Sequence, residues 1–131
     1  MKVISNELDS KSELTQFIDK ELTRLFRQKH IKRILFIAPP DVDIAMFDYA
    51  TAKRGRYWNY PPYGVGIIAS HLRNEGLNVQ ILNLNNEILK ASKTSNTESD
   101  FDFENLWESK MKQEISTFSP DIVGVTCMFS M

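Results

Sequence analysis

The chain has 131 residues, the size of one ordinary domain, long enough to bury a core and too short to hold two. Sixteen Lys plus Arg against seventeen Asp plus Glu leave a net charge of -1, so no global field draws in nucleic acid or an anionic membrane. The single cysteine, Cys127, excludes an internal disulfide and any cysteine-rich zinc or iron-sulfur site built from this chain alone.

Ser10 followed three residues later by Glu13 reads as a capping box, and Leu14, Phe17, Ile18, Leu22, Leu25 and Phe26 recur at helical spacing. This predicts an amphipathic helix from Ser10 to Lys29, and residues 1–30 are set apart as an N-terminal helical extension. The basic residues Arg24, Arg27, Lys29, Lys32 and Arg33 at its end are expected to offset the helix dipole rather than to bind nucleic acid.

The domain proper runs over residues 31–131. Ile34-Leu35-Phe36-Ile37-Ala38 is a continuous apolar run closed by Pro39-Pro40, which predicts a central strand buried on both faces. Asp41 to Tyr60 lacks periodicity and far exceeds the usual βα loop. Its content of Phe47, Tyr49, Tyr57, Trp58 and Tyr60 predicts an ordered or ligand-ordered loop rather than a solvated linker. After Pro61-Pro62, the spacing of Val65, Ile68, Ala69 and Leu72 predicts a crossover helix, with Gly76 as its left-handed cap.

Asn78 to Leu84 is a second strand, alternating enough to lie near a sheet edge. Asn85 to Asp100 is polar and rich in Ser, Thr and Asn, and is expected to be a loop with at most one helical turn, the segment most prone to disorder. Phe103, Leu106, Trp107, Met111, Ile115 and Phe118 predict a second crossover helix, stopped by Ser119-Pro120. Asp121 to Cys127 is a third buried strand.

Strands alternating with crossover helices make this an α/β chain with a parallel sheet and helices on both faces. Three strands leave an open edge on a sheet that usually has five or six, so we expect an incomplete domain whose edge is covered by the rest of a longer protein or by a partner chain. No apolar run approaches the roughly 20 residues of a membrane span, and residues 1–12 carry no signal-peptide core. A soluble, cytoplasmic protein with neither membrane nor nucleic acid as partner is expected.

Ligands of open parallel sheets bind beyond the carboxyl ends of the strands. The candidate loops are therefore Pro39 to Tyr63, Asn83 to Asn86 and Thr126 to Met131. The first turn lacks the G-x-G-x-x-G dinucleotide fingerprint, and no Walker motif is present. Gly64 and Gly66 admit two readings: amides offered to an anion at a helix start, or close helix-sheet packing. His71, within the crossover helix, reads as a surface residue, Cys127 as inert packing, and Asp41 and Asp43 as solvated turn acids.

The succession Ile34-Leu35-Phe36-Ile37-Ala38-Pro39-Pro40, Tyr60-Pro61-Pro62-Tyr63-Gly64-Val65-Gly66, Val79 to Leu84 and Pro120-Asp121-Ile122-Val123-Gly124-Val125-Thr126 resembles the N-terminal cobalamin-binding domain of cobalamin-dependent radical S-adenosylmethionine enzymes. The resemblance covers roughly Lys32 to Met131. It implies a Rossmann-like or flavodoxin-like sheet that holds a corrin cofactor, cobalamin, over a downstream barrel. There, a four-iron four-sulfur cluster cleaves S-adenosylmethionine, often for methyl transfer. The cofactor-binding positions it implies, together with the sheet topology, are Pro40, Tyr63, Gly64, Asn83, Thr126, Cys127 and Ser130. No catalytic or metal-ligating residue of this chain is implied. The chain departs from related corrin proteins in lacking D-x-H-x-x-G, which supplies an axial histidine, and it lacks the C-x-x-x-C-x-x-C cluster motif. A small partner-docking module without enzymatic activity is the alternative.

Overall fold

The computed structural model describes residues 2–26 and 30–126, with side chains of residues 12–25 in the first helix. The chain divides into two compact units, Met1–His30 and Ile31–Met131. The first unit is one helix, α1 (Lys2–Phe26). It begins eight residues before the Ser10 start expected from the capping box, because Ser-x-x-Glu does not interrupt a helix already running through it. Leu14, Phe17, Ile18, Leu22 and Leu25 form an exposed apolar stripe on α1, and Arg24 pairs with Glu21 at 2.8 Å.

The second unit follows the order β1 (Arg33–Ala38), α2 (Tyr49–Lys53), α3 (Tyr63–Asn74), β2 (Asn78–Asn83), α4 (Leu84–Thr94), α5 (Phe103–Phe118) and β3 (Ile122–Val125). The sheet is parallel throughout with strand order β2-β1-β3, so the apolar run Ile34–Ala38 is central as expected. Alternation of side chains along β1 then feeds two cores. Leu35 and Ile37 pack with Leu84, Phe118, Trp107 and Met111 of α4 and α5. Ile34 packs on the opposite face with Val79 and with Ala69 and Leu72 of α3. Helices therefore cover both faces.

Three motifs acquire physical reasons. The Asp121 carboxylate accepts the amides of Lys32 (2.8 Å) and Arg33 (2.9 Å), while its own amide donates to the Arg33 carbonyl at 2.8 Å, so this acid aligns the entries of β1 and β3. A Cβ at Gly124 would lie 2.8 Å from the Phe36 ring, which is why a glycine stands opposite that aromatic. Gly76 adopts φ +86° as the left-handed cap of α3, and Leu77 donates back to Leu72.

Three expectations are corrected. Asn85 to Asp100 is not a loose loop: Leu84–Thr94 is helical, with Leu84, Ile88, Leu89 and Ser92 buried, and a 3₁₀ turn follows at Glu98–Asp100. Its Asn and Ser content masks a narrow apolar stripe that the sheet selects. The expected buried third strand is an edge strand, with Val123 and Val125 exposed and regular pairing over Ile122–Val125 only. Ile68 is exposed, since it lies about 100° around α3 from the fully buried Ala69.

Candidate functional site

The chain moves outward from β1 to β2 and then returns past β1 to β3, so the topological switch point lies between the carboxyl ends of β1 and β3. Ala38 leads there into Pro39-Pro40, and the Thr126 amide donates to the Ile37 carbonyl at 3.0 Å, keeping the exit of β3 beside that of β1.

The long connection after β1 is built from local caps. Asp43 accepts from the Ala45 amide at 2.8 Å and starts a 3₁₀ turn, Ile44–Met46. Asp48 accepts from the Thr51 amide at 2.6 Å and starts α2. Hydrogen bonds from Thr51, side chain and backbone, together with the charge of Arg54, hold the Asp48 carboxyl below its ordinary value. Gly55, at φ +68°, reverses the chain after α2.

Aromatic packing then fixes this loop to the second crossover. Phe47 stacks on Tyr57 (5.5 Å between centroids) and on Phe101 (5.4 Å), and meets Phe103 at 4.9 Å. Tyr49 reaches the Ser95 hydroxyl at 2.7 Å, and Lys53 donates to the Ser95 carbonyl. The loop is thus ordered, in keeping with its aromatic content.

A polar clasp closes its two ends. Asn85, buried in the first turn of α4, accepts the Asp41 amide at 3.3 Å. Its side-chain amide donates to the Asp41 carboxylate at 3.0 Å and to the Trp58 carbonyl at 3.2 Å. One orientation of the Asn85 amide satisfies all three partners. Beside it, Asn59 donates to the Asn86 side chain at 2.9 Å. Asp41 is therefore not a free turn acid, and desolvation by burial raises its pKa.

On this anchored backbone, Trp58 and Tyr60 stack nearly parallel, 5.6 Å apart and 8° from coplanar, while remaining 73% and 64% exposed. Next to them an open apolar groove of about 480 Å³ is lined by Pro61, Pro62, Tyr63, Gly66, Ile67 and Ile81.

No family model, no curated protein and no solved structure matches this chain.

The positions expected from sequence fall as follows. Pro40 is half-buried at the end of β1, and Tyr63 and Gly64 are exposed at the start of α3. The Gly64 and Val65 amides lie in the first helical turn, which provides them no intrahelical acceptor, whereas the Gly66 amide already donates to the Pro62 carbonyl at 2.9 Å. A Cβ at Gly66 would meet nothing within 4 Å, so close helix-sheet packing does not account for that glycine. Asn83 caps α4, accepting from the Asn86 amide at 3.1 Å. Thr126 is half-buried; Cys127 and Ser130 lie outside the described residues. His71 is exposed within α3. Among the described residues there is no group of three or more His, Cys, Asp or Glu suited to a metal ion, and no helix is long and apolar enough to cross a membrane.

The sequence places Asn85 and Asn86 within a candidate ligand loop, Asn83 to Asn86, but not in the helix that holds their side chains against the loop after β1. The spacing of Leu84, Ile88 and Leu89 behind a capping Asn83 is the signal that identifies α4 and places both amides at its start.

Proposed function

We propose that residues 31–131 are the N-terminal part of a cobalamin-binding domain from a radical S-adenosylmethionine enzyme of methyltransferase-like type. One observation carries this reading: the β1/β3 switch point, where flavodoxin-like sheets receive flat cofactors, coincides with a Pro-Pro turn and a long, ordered, aromatic loop. The donor set fits a corrin, which has broad apolar faces and an amide-rich rim. Pro40 and the Trp58–Tyr60 pair offer flat apolar surface, the Gly64 amide and the Tyr63 and Thr126 hydroxyls offer polar contacts, and neither His30 nor His71 belongs to the loops at this site. A histidine-free mode of holding the corrin follows.

When bound, cobalamin supplies a cobalt centre able to carry a methyl group. The residues named here hold the ring and exclude water from it. S-adenosylmethionine and the iron-sulfur cluster belong to a separate barrel in this reading, since a lone cysteine cannot ligate such a cluster. The test is to incubate the folded chain with hydroxocobalamin and desalt it. Corrin absorbance travelling with the protein is expected, and folded protein eluting colourless counts against the proposal.

The half-exposed edge strand β3, with Val123 and Val125 open to solvent, favours a second reading as a module that docks a partner strand. Sedimentation distinguishes them: a docking module self-associates or requires a partner for solubility, with or without corrin.

A further inference from the structure

We infer that Asn85 is the positioning residue of this site: by bridging Asp41 and Trp58 it sets the loop after β1, and with it the Trp58–Tyr60 stack, in a binding-competent arrangement before any ligand arrives. The ligand arm of this inference rests on the corrin reading; the positioning itself does not.

Asn85 is 7% exposed, yet all of its side-chain bonds go to residues 27 and 44 positions away and none serves its own helix. Helix capping at this end is already supplied by Asn83. A buried amide at the second position of a helix costs desolvation unless its partners are met, and here the partners are the first and nearly the last residues of the loop. The Asn59–Asn86 bond repeats the link one residue along on both sides. The result is a loop of about twenty residues closed at its neck, whose exposed aromatic pair begins at Trp58, itself a partner in the clasp. An exposed Trp-Tyr stack on an unanchored loop would lose much of any binding energy to ordering, and the clasp removes that cost in advance.

Three variants of the full chain test this. Asn85→Ala removes every bond; Asn85→Asp keeps the shape but cannot donate when ionised; Asn59→Ala cuts only the exposed outer link, so the fold is retained even if the buried variants fail. Limited trypsin digestion reads the loop directly at the exposed Lys53, Arg54 and Arg56. Cleavage there is expected to accelerate about tenfold or more in both Asn85 variants, and less in Asn59→Ala, while the cooperative thermal transition of the unit persists. In a Trp107→Phe background Trp58 is the sole tryptophan, and hydroxocobalamin is expected to quench its emission with about tenfold weaker affinity once Asn85 is replaced. Unchanged cleavage in all three variants overturns the inference. Accelerated cleavage with undiminished quenching overturns its ligand arm. If the unaltered chain shows no quenching, the corrin reading fails and the digestion alone decides the clasp.

Discussion

The two crossover connections of the sheet are held down by different forces. The second, between β2 and β3, is anchored by apolar burial: Leu84, Ile88 and Leu89 of α4 and Phe118 of α5 are buried, and Trp107 and Met111 pack against Leu35 and Ile37. The first, between β1 and β2, keeps α3 on the sheet through Ala69 and Leu72, but its long loop is anchored by Asn85, Asn86, tyrosine hydroxyls and an aromatic cluster. Hydrogen bonds of this kind contribute about 1 kcal/mol each, while fully burying an aliphatic side chain contributes about 1.5–3 kcal/mol. The polar links at the neck of this loop can break without unfolding the sheet.

Ile88→Ala should have the largest effect, destabilising the unit by about 2–5 kcal/mol in urea unfolding. Hydrogen exchange should accelerate in β1 and α5 as well as α4; acceleration confined to the loop after β1 would erase the distinction between the two connections. Gly124→Ala comes next, at about 1–3 kcal/mol, because the new methyl meets the Phe36 ring and forces β3 away from β1. The readout is again denaturant unfolding, and an unperturbed midpoint would show that the ring moves freely.

Gln80 lies on the sheet face shared with the second connection, and its buried Oε1 has no hydrogen-bond partner among the described residues. Gln80→Met should stabilise the unit by about 1 kcal/mol, seen as a higher thermal midpoint. A loss of stability would mean that the amide has a partner after all.

The smallest effects are pH slopes within the first loop. The raised pKa of Asp41 means that the folded loop retains a proton the open loop has lost. Its closure is therefore firmest below the ordinary carboxylate pKa and weakens as pH rises to the folded-state value. Asp48 has the opposite sign: its contribution is full above the ordinary value and is lost as pH falls through its lowered one. Amide hydrogen exchange in residues 44–57 across the carboxylate range, corrected for the intrinsic pH dependence of exchange, should lose the first slope in Asp41→Asn and the second in Asp48→Asn, with capping kept in the latter. Unchanged profiles in both would show that neither acid governs the loop.

Much of this architecture is written locally. The run Ile34–Ala38 is too apolar for any place but the middle of a sheet, Gly76 marks a left-handed cap, and Ser119-Pro120 stops a helix. Such features depend on neighbours in sequence, so they are readable without a fold. The parallel order and the crevice beyond the strands follow from the alternation of elements.

What tertiary structure decided is which weak pattern wins. Leu84, Ile88 and Leu89 amid asparagines become a helix because the Leu35–Ile37 face of the sheet offers them burial, and the apolar Val123 and Val125 remain exposed because β3 lies at the edge of the described sheet. Asn85 acquires its meaning only when residues 41 and 58 arrive from far along the chain to meet it. Burial and long-range hydrogen bonding are properties of places in a fold, and no local stretch of sequence contains them.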